Sequence, residues 1–293
     1  MKLSLILLLG SLVAFGNTNS NWTPKYKKLS KKKISKQIDK KVLKSKDSLT
    51  SLKKVSSPLS SRTDSRAASK SNSLEKLYQK ASKTKKDLAR LKKETMLLKQ
   101  KAVPTLLKVM KEKKYPDENR WVATYMLGRI MGVKAAPLIS KYSQHPNWML
   151  RLASLKVLLH LNQKQYKGIY AKLLNDKSLI VRHQALQNIK KMEIKELAPY
   201  VWKMLYNKKN YVGLKGKRKR SNIIKDAIKT VGDLDFKQAR KPMLKMFQKN
   251  KYKDVFEALD YSLSKLSKKN SPDGPLTLKK HYWNQTATSE VKI

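Results

Sequence analysis

An internal repeat extends over residues 101–267 and constrains the fold more than any other feature of the chain. Arg120, Arg151 and Arg182 are separated by 31 residues each time, and each is followed by a small residue three positions later and an aliphatic one four positions after that. Two later segments keep this frame without the arginine, so that small residues stand at 123, 154, 185, 227 and 258. Such a period is typical of stacked units, none of which can bury its apolar face alone.

Each unit also contains another apolar helical stretch, which precedes the one with the repeated small residue. Proline stands near the start of four of these stretches, at Pro104, Pro137, Pro199 and Pro242. Proline is tolerated in the first turn of a helix because the N–H groups there have no intrahelical partner. The sequence therefore predicts units of helix, short turn and helix, and an all-α fold.

The segments "AVPTLL", "RWVATYMLG" and "LLNDKSLIVRHQAL" combine an early proline in the first helix with an arginine, a small residue and a leucine in the second. This pattern resembles the HEAT-repeat family, in the short bacterial type grouped with phycobilisome-lyase-like HEAT repeats. The resemblance covers residues 101–267. It implies an α-solenoid of about five HEAT-like helix-turn-helix repeats.

In that family the repeated arginine commonly pairs with an acidic residue of the turn before its helix. The resemblance therefore implies a structural role for the three repeated arginines. It makes Asp176 the partner of Arg182, and Asp117 or Glu118 the partner of Arg120. The turn before the middle arginine contains an asparagine and no acidic residue.

One unit departs from the period. The third step between small residues is 42 instead of 31, and the excess lies between the two helices of the fourth unit, in residues 207–222. Insertions in repeat proteins lie in loops and often mark the binding face. We therefore predict an anion- or partner-binding loop, with a solvated basic loop as the alternative. Its candidate residues are Lys215, Lys217, Arg218, Lys219 and Arg220, with Tyr211 for stacking.

The N-terminus is typical of a secretory signal peptide. Lys2 precedes an apolar run from Leu3 to Phe15, and Ala14 and Gly16 occupy the −3 and −1 positions of a cleavage site after Gly16. The run is too short to span a bilayer comfortably. We predict a signal peptide at residues 1–16, no later transmembrane segment, and a bacterial protein that is periplasmic or secreted.

Three further segments flank the repeats. Residues 17–73 contain 16 Lys and Arg and few apolar residues, which predicts a disordered basic arm. Residues 74–100 show apolar positions at alternating three- and four-residue steps, which predicts one long amphipathic helix. Such a helix could form a coiled coil, but Thr and Ala in its seam favour packing against the repeats. Residues 268–293 form a C-terminal tail whose Tyr282 and Trp283 could cover the last repeat.

Composition limits the partners. The 293 residues include 68 Lys and Arg against 20 Asp and Glu, a formal charge of +48, which implies attraction to polyanions. We expect an acidic protein or an anionic polymer of the envelope or wall as partner, with nucleic acid as the alternative. Only ten of the cations are Arg, the residue whose forked head best suits recognition of bases and phosphates.

Little in the sequence indicates catalysis. The chain has no cysteine, which excludes disulfides and thiolate sites, and its four histidines show no metal-ligand spacing. Trp121, Trp148 and Trp202 occupy different positions in their repeats, so we interpret them as packing residues. The sequence therefore predicts a non-enzymatic scaffold without metal or cofactor. The enzyme alternative that the resemblance admits is a DNA glycosylase of the HEAT-like type.

Overall fold

The computed structural model describes residues 64–214, 217–220 and 222–289. The predicted signal peptide, residues 17–63 of the predicted arm, and Lys215 in the inserted loop lie outside the described residues. Within the described part, the chain is helical apart from one short antiparallel hairpin.

The helices follow one another through short turns, several of which are 3-10 helical. The first seven α-helices are α1 Asp64–Gln79, α2 Lys85–Leu98, α3 Val103–Lys111, α4 Asp117–Met131, α5 Ala136–Lys141, α6 Trp148–His160 and α7 Lys167–Leu173. The remaining elements are α8 Leu179–Lys191, α9 Ala198–Lys203, β1 Tyr211–Leu214, β2 Lys217–Arg220, α10 Asn222–Asp233, α11 Arg240–Phe247, α12 Phe256–Ser267 and α13 Leu276–Ser289.

Helices α3 to α12 pack as five consecutive pairs, α3 with α4, α5 with α6, α7 with α8, α9 with α10, and α11 with α12. The second helix of each pair also contacts the second helix of the next pair. At the N-terminal end of this series α2 contacts α4. We call the series α2, α4, α6, α8, α10 and α12 the helix row.

The repeated small residues explain how the row packs. All five, at 123, 154, 185, 227 and 258, are 0–1% exposed, as the repeat predicts. Gly128 and Gly232 bring neighbouring row helices closer still. A Cβ on Gly232 would lie 2.7 Å from the Cα of Ser262, so α10 and α12 meet in near-backbone contact. Pro104, Pro137 and Pro199 lie in the first turn of their helices, also as predicted.

The predicted single helix over residues 74–100 is wrong, because α1 and α2 are separate helices. Thr84 caps α2: its hydroxyl accepts from the Asp87 N–H at 3.1 Å, and the Asp87 carboxylate accepts from the Thr84 N–H at 3.0 Å. Such a capping box fixes a helix start, so Thr84 is not a seam position. Both helices pack against each other, and they also contact α3 or α4, as the packing alternative to a coiled coil requires.

Helix α1 also crosses the predicted arm boundary. It begins at Asp64, so residues 64–73 of the predicted arm are helical. Leu74 and Tyr78 are buried, and the Tyr78 hydroxyl lies 3.0 Å from the Thr95 hydroxyl of α2. Asn119 of α4 donates to the Tyr78 and Lys80 carbonyls at 2.7 and 2.6 Å. The folded part therefore begins upstream of the composition change on which the prediction rested.

Helix α13 covers the C-terminal end of the pairs. Trp283 is fully buried against α11 and α12, which confirms the prediction for this residue, and its Nε1 donates to Asp260 at 2.7 Å. Ser271 and Lys279 also donate to Asp260, at 2.6 and 3.0 Å. Burial raises the pKa of Asp260, but these three donors outweigh it and the pKa is lowered. The partly buried Tyr282 packs edge-on against Trp283.

Candidate anion-binding surface

The three repeated arginines connect successive helix pairs. Arg151 holds Asp176 through two hydrogen bonds, from Nε at 2.8 Å and from Nη2 at 2.7 Å. Its Nη1 donates to the carbonyls of His145 and Pro146, each at 2.8 Å. Since Asp176 lies 25 residues ahead, this arginine reaches forward into the turn of the next pair. Asn147, the polar residue of its own turn, instead caps α6 by accepting from the Met149 N–H.

Arg182 repeats this geometry with different partners. Its Nη1 donates to the carbonyls of Asp176 and Lys177 at 2.8 and 3.1 Å. Its Nε and Nη2 donate to the Asn210 side chain and the Lys209 carbonyl at 2.8 and 2.7 Å. The predicted pairing of Arg182 with the Asp176 carboxylate is therefore wrong. That carboxylate binds the preceding arginine, because each guanidinium reaches the following turn.

Arg120 forms the first contact of this kind. It pairs with Asp117 at 3.2 Å, as one predicted alternative requires, and donates to the Met110 carbonyl at 3.0 Å. Its Nη2 lies 3.3 Å from His145 Nε2, while His145 Nδ1 accepts from the Asn147 N–H. Burial and then the Arg120 charge lower the pKa of His145. Since protein atoms occupy the polar heads of all three arginines, their role is to join helix pairs.

The inserted segment folds into the hairpin of β1 and β2. The strands are antiparallel, with Tyr211 opposite Arg220 and Leu214 opposite Lys217. All four residues of β2 are basic in sequence. The Tyr211 hydroxyl donates to the Leu205 carbonyl at 2.7 Å, and the ring packs against the core. Tyr211 thus anchors the base of the hairpin, and the stacking role predicted for it stays a prediction.

A cluster that the sequence did not predict lies on helices α2, α4, α6 and α8 of the helix row. Trp121 and Tyr125 of α4 are stacked, with centroids 5.9 Å apart and planes 4° from parallel. His160 of α6 lies 6.4 Å from Tyr125, and Lys92 Nζ of α2 lies 5.8 Å from the Trp121 centroid. Trp121 packs against the core, as interpreted from the sequence, and is also partly exposed.

Lysines complete this cluster. Lys156 of α6 is half-buried, and burial, then Lys191 of α8, then Lys92 lower its pKa. Among the described residues no carboxylate forms an ion pair with any of these three lysines. We define the aromatic–lysine cluster by six residues, Lys92, Trp121, Tyr125, Lys156, His160 and Lys191. It offers flat rings next to cations whose charge the protein leaves uncompensated.

The repeat itself contains the signal for this cluster. Tyr125 and Lys156 are one repeat length of 31 residues apart. The same length separates Arg129 from His160, and His160 from Lys191. Equivalent positions of stacked units lie side by side, so these residues share one surface. The residue type at each of these two sets of positions changes from unit to unit, so a comparison of tryptophans alone does not reveal them.

Acidic residues pair with some of the cations on α8 and α10. His183 lies 2.9 Å from Asp226, and Lys190 lies 3.2 Å from Asp233. Asp233 also accepts from the Tyr261 hydroxyl at 2.5 Å. These carboxylates would repel an incoming anion and already engage the adjacent cations. Lys229 of α10 and Lys265 of α12 lie 5.8 and 5.7 Å from the Tyr261 ring, so this part of the row also has cations next to an aromatic ring.

Other features of the described residues are weaker candidates for a binding site. An open groove of about 360 Å³ between the turns that precede α7 and α9 is lined by both lysines and glutamates, and its Lys167 and Glu196 pair at 3.1 Å. No group of three or more His, Asp or Glu that could hold a metal is found in the described part of the chain. None of its helices combines the length and the apolar character that a membrane crossing requires.

Comparison with known proteins adds no relative. No protein-family model matches the chain, and no curated protein matches it with significant similarity.

Proposed function

We propose that this protein is an exported, non-enzymatic binder of polyanions, built as an α-solenoid of about five HEAT-like repeats. The solenoid is supported by the five helix pairs and by the continuous contacts along the helix row. Export is supported by the signal-like sequence of residues 1–16. Binding is supported above all by one observation: Lys92 Nζ lies 5.8 Å from the Trp121 ring, and among the described residues no carboxylate pairs with Lys92, Lys156 or Lys191.

The pairing of the acidic residues strengthens this proposal. With 20 acids against 68 cations, even complete pairing would leave most lysines free. Several described acids serve the fold: Glu75 binds Lys108 and Tyr115, and Asp176 binds Arg151. An acid engaged in this way offers little compensation to distant lysines, because exposed charges are screened beyond about 8–10 Å. A ligand with many negative charges would supply the missing compensation.

The partners considered from the sequence, an acidic protein, an anionic envelope polymer and nucleic acid, share a high density of negative charge. The basic strand β2 would add to this attraction through Lys217, Arg218, Lys219 and Arg220. Cations that neutralise a polyanion release its counterions, so binding should weaken steeply with salt. The cluster brings together cations and rings, a combination suited to holding a ligand.

The test uses the full chain without residues 1–16. Its affinity for polyphosphate, polyglutamate and single-stranded DNA is measured from about 50 to 200 mM salt, with neutral dextran as control. We expect binding to at least one polyanion, a steep decrease of affinity with salt, and no binding to dextran. Replacement of the four β2 cations by Ser should flatten the salt slope for that polyanion. A chain that binds none of the three polyanions at low salt would contradict the proposed function.

A further inference from the structure

The aromatic–lysine cluster presents two kinds of contact that few polyanions can use together. Its lysines can neutralise phosphate or carboxylate, whereas its rings can only contact another flat or apolar surface. We propose that this cluster is a nucleotide-binding subsite for single-stranded nucleic acid. This inference rests on the proposed polyanion binding and names the class of ligand.

The lysines provide the first step of the argument. Lys156 is half-buried on α6, between Lys92 on α2 and Lys191 on α8, and both of these lysines disfavour its charged form. Among the described residues no carboxylate forms an ion pair with any of the three lysines. A phosphate group bound beside Lys156 would relieve both the burial cost and the repulsion. The site is therefore preorganised for an anion before a ligand arrives.

The rings provide the second step. Trp121 and Tyr125 have nearly parallel planes, and His160, which is exposed, continues the series on the next row helix. The buried Trp121 Nε1 has no hydrogen-bond partner among the described residues, so ring contacts and packing position the indole. A ring held without a polar contact on a partly exposed surface is suited to stacking. Every nucleobase has a π-face that can stack on such a ring.

The two steps together select the ligand. An acidic peptide or a polyol phosphate could neutralise the lysines but would offer the rings no flat partner. Duplex DNA presents its phosphates, while its base faces are stacked inside the helix. A single strand exposes phosphates and base faces in alternation, which is the arrangement that aromatic platforms in basic grooves recognise.

The experiment compares two ligands that differ only in their bases. Fluorescence anisotropy measures the affinity of the full chain without residues 1–16 for an oligothymidylate and for an abasic strand with the same number of phosphates. We expect the oligothymidylate to bind about tenfold more tightly, since base stacking on an aromatic ring contributes on this scale. The wild-type comparison needs no variant, so a folding defect cannot obscure it.

Variants then locate the effect. Trp121→Leu and Tyr125→Leu should each reduce the preference for the base-bearing strand while the affinity for the abasic strand changes little. The matched control is Trp202→Leu, which removes another partly buried tryptophan; it lies on α9, the first helix of a pair, and its ring contacts Tyr206 in the following turn. This control should keep the preference. Circular dichroism melts establish that each variant is folded.

Several results would overturn the inference. Equal affinity for the two strands, tighter binding of a duplex of the same length, or better competition by polyglutamate would each exclude a base-stacking subsite, although the proposed polyanion binding would stand. A preference that Trp202→Leu abolishes and Trp121→Leu retains would place the stacking elsewhere. Failure of every polyanion to bind would instead refute the proposed function.

Discussion

Removal of the Asp176 carboxylate should destabilise the fold strongly, because one side chain joins two helix pairs. Asp176 and Arg151 are 7% and 11% exposed and share two hydrogen bonds of 2.7 and 2.8 Å. Asp176 also accepts from the Ser178 N–H at 2.8 Å. Asp176→Ala would leave a largely buried guanidinium with its Nε and Nη2 unpaired. Breaking such a pair from one side costs about 3–5 kcal/mol.

A double-mutant cycle gives the sharper form of this prediction. Urea unfolding followed by circular dichroism yields the free energy of unfolding of Asp176→Ala, Arg151→Met and the double variant. We expect a coupling of about 1.5–3 kcal/mol, the range of hydrogen bonds to charged groups. The same cycle with Arg182→Met should give a much smaller coupling, since Arg182 contacts only the backbone carbonyl of Asp176.

The matched control lies in the first arginine contact. Asp117→Ala removes a carboxylate that is 46% exposed and makes one contact of 3.2 Å with Arg120. Its loss should cost at most about 1 kcal/mol, as for surface pairs. The reasoning is refuted if Asp176 couples more strongly to Arg182 than to Arg151, or if Asp117→Ala costs as much as Asp176→Ala.

Three further predictions concern packing and pH. Gly232→Ala should lower stability by about 1–3 kcal/mol in urea unfolding, because the new Cβ meets the backbone of α12 at 2.7 Å; an unchanged midpoint would contradict the close contact. Trp283→Ala should cost about 3–5 kcal/mol, since it opens a cavity and removes a donor from Asp260; a small loss would mean that α13 is not a cap. Burial and then Arg120 lower the pKa of His145 below 6.5, so the unfolded chain binds the proton first on acidification. The contribution of the neutral ring is complete above pH 6.5 and declines as the pH falls below it, and His145→Gln should flatten this decline.

The sequence predicts those features of the fold that depend on one residue type at a fixed spacing. The five small residues are buried and the prolines lie in first turns because each unit imposes the same steric demand at the same position. Thr84 shows where spacing alone is insufficient. It fits an apolar seam by position, but its hydroxyl and the Asp87 carboxylate three residues later form a cap and end that seam.

Less of the candidate site than of the fold can be predicted from the sequence. Arg182 and Asp176 are close along the chain, yet the guanidinium reaches forward to Asn210 of the next turn. Similarly, Tyr125 and His160 belong to different units and meet only when the units stack. Contacts between units depend on the direction of each side chain across the interface, which a one-dimensional pattern does not contain.

One measurement directly tests whether polyanions bind to the lysines of the aromatic–lysine cluster or only to the positive charge of the whole molecule. The three lysines of the aromatic–lysine cluster are replaced by Met in one variant. In a control variant of equal net charge, Met replaces Lys108, Lys114 and Lys167, which pair with Glu75, Glu112 and Glu196. The slope of log affinity against log salt is then measured for single-stranded DNA. We expect the cluster variant to flatten the slope by about 2, at about 0.7 for each phosphate contact, and the control to change it much less. Equal slopes in the two variants would contradict the account.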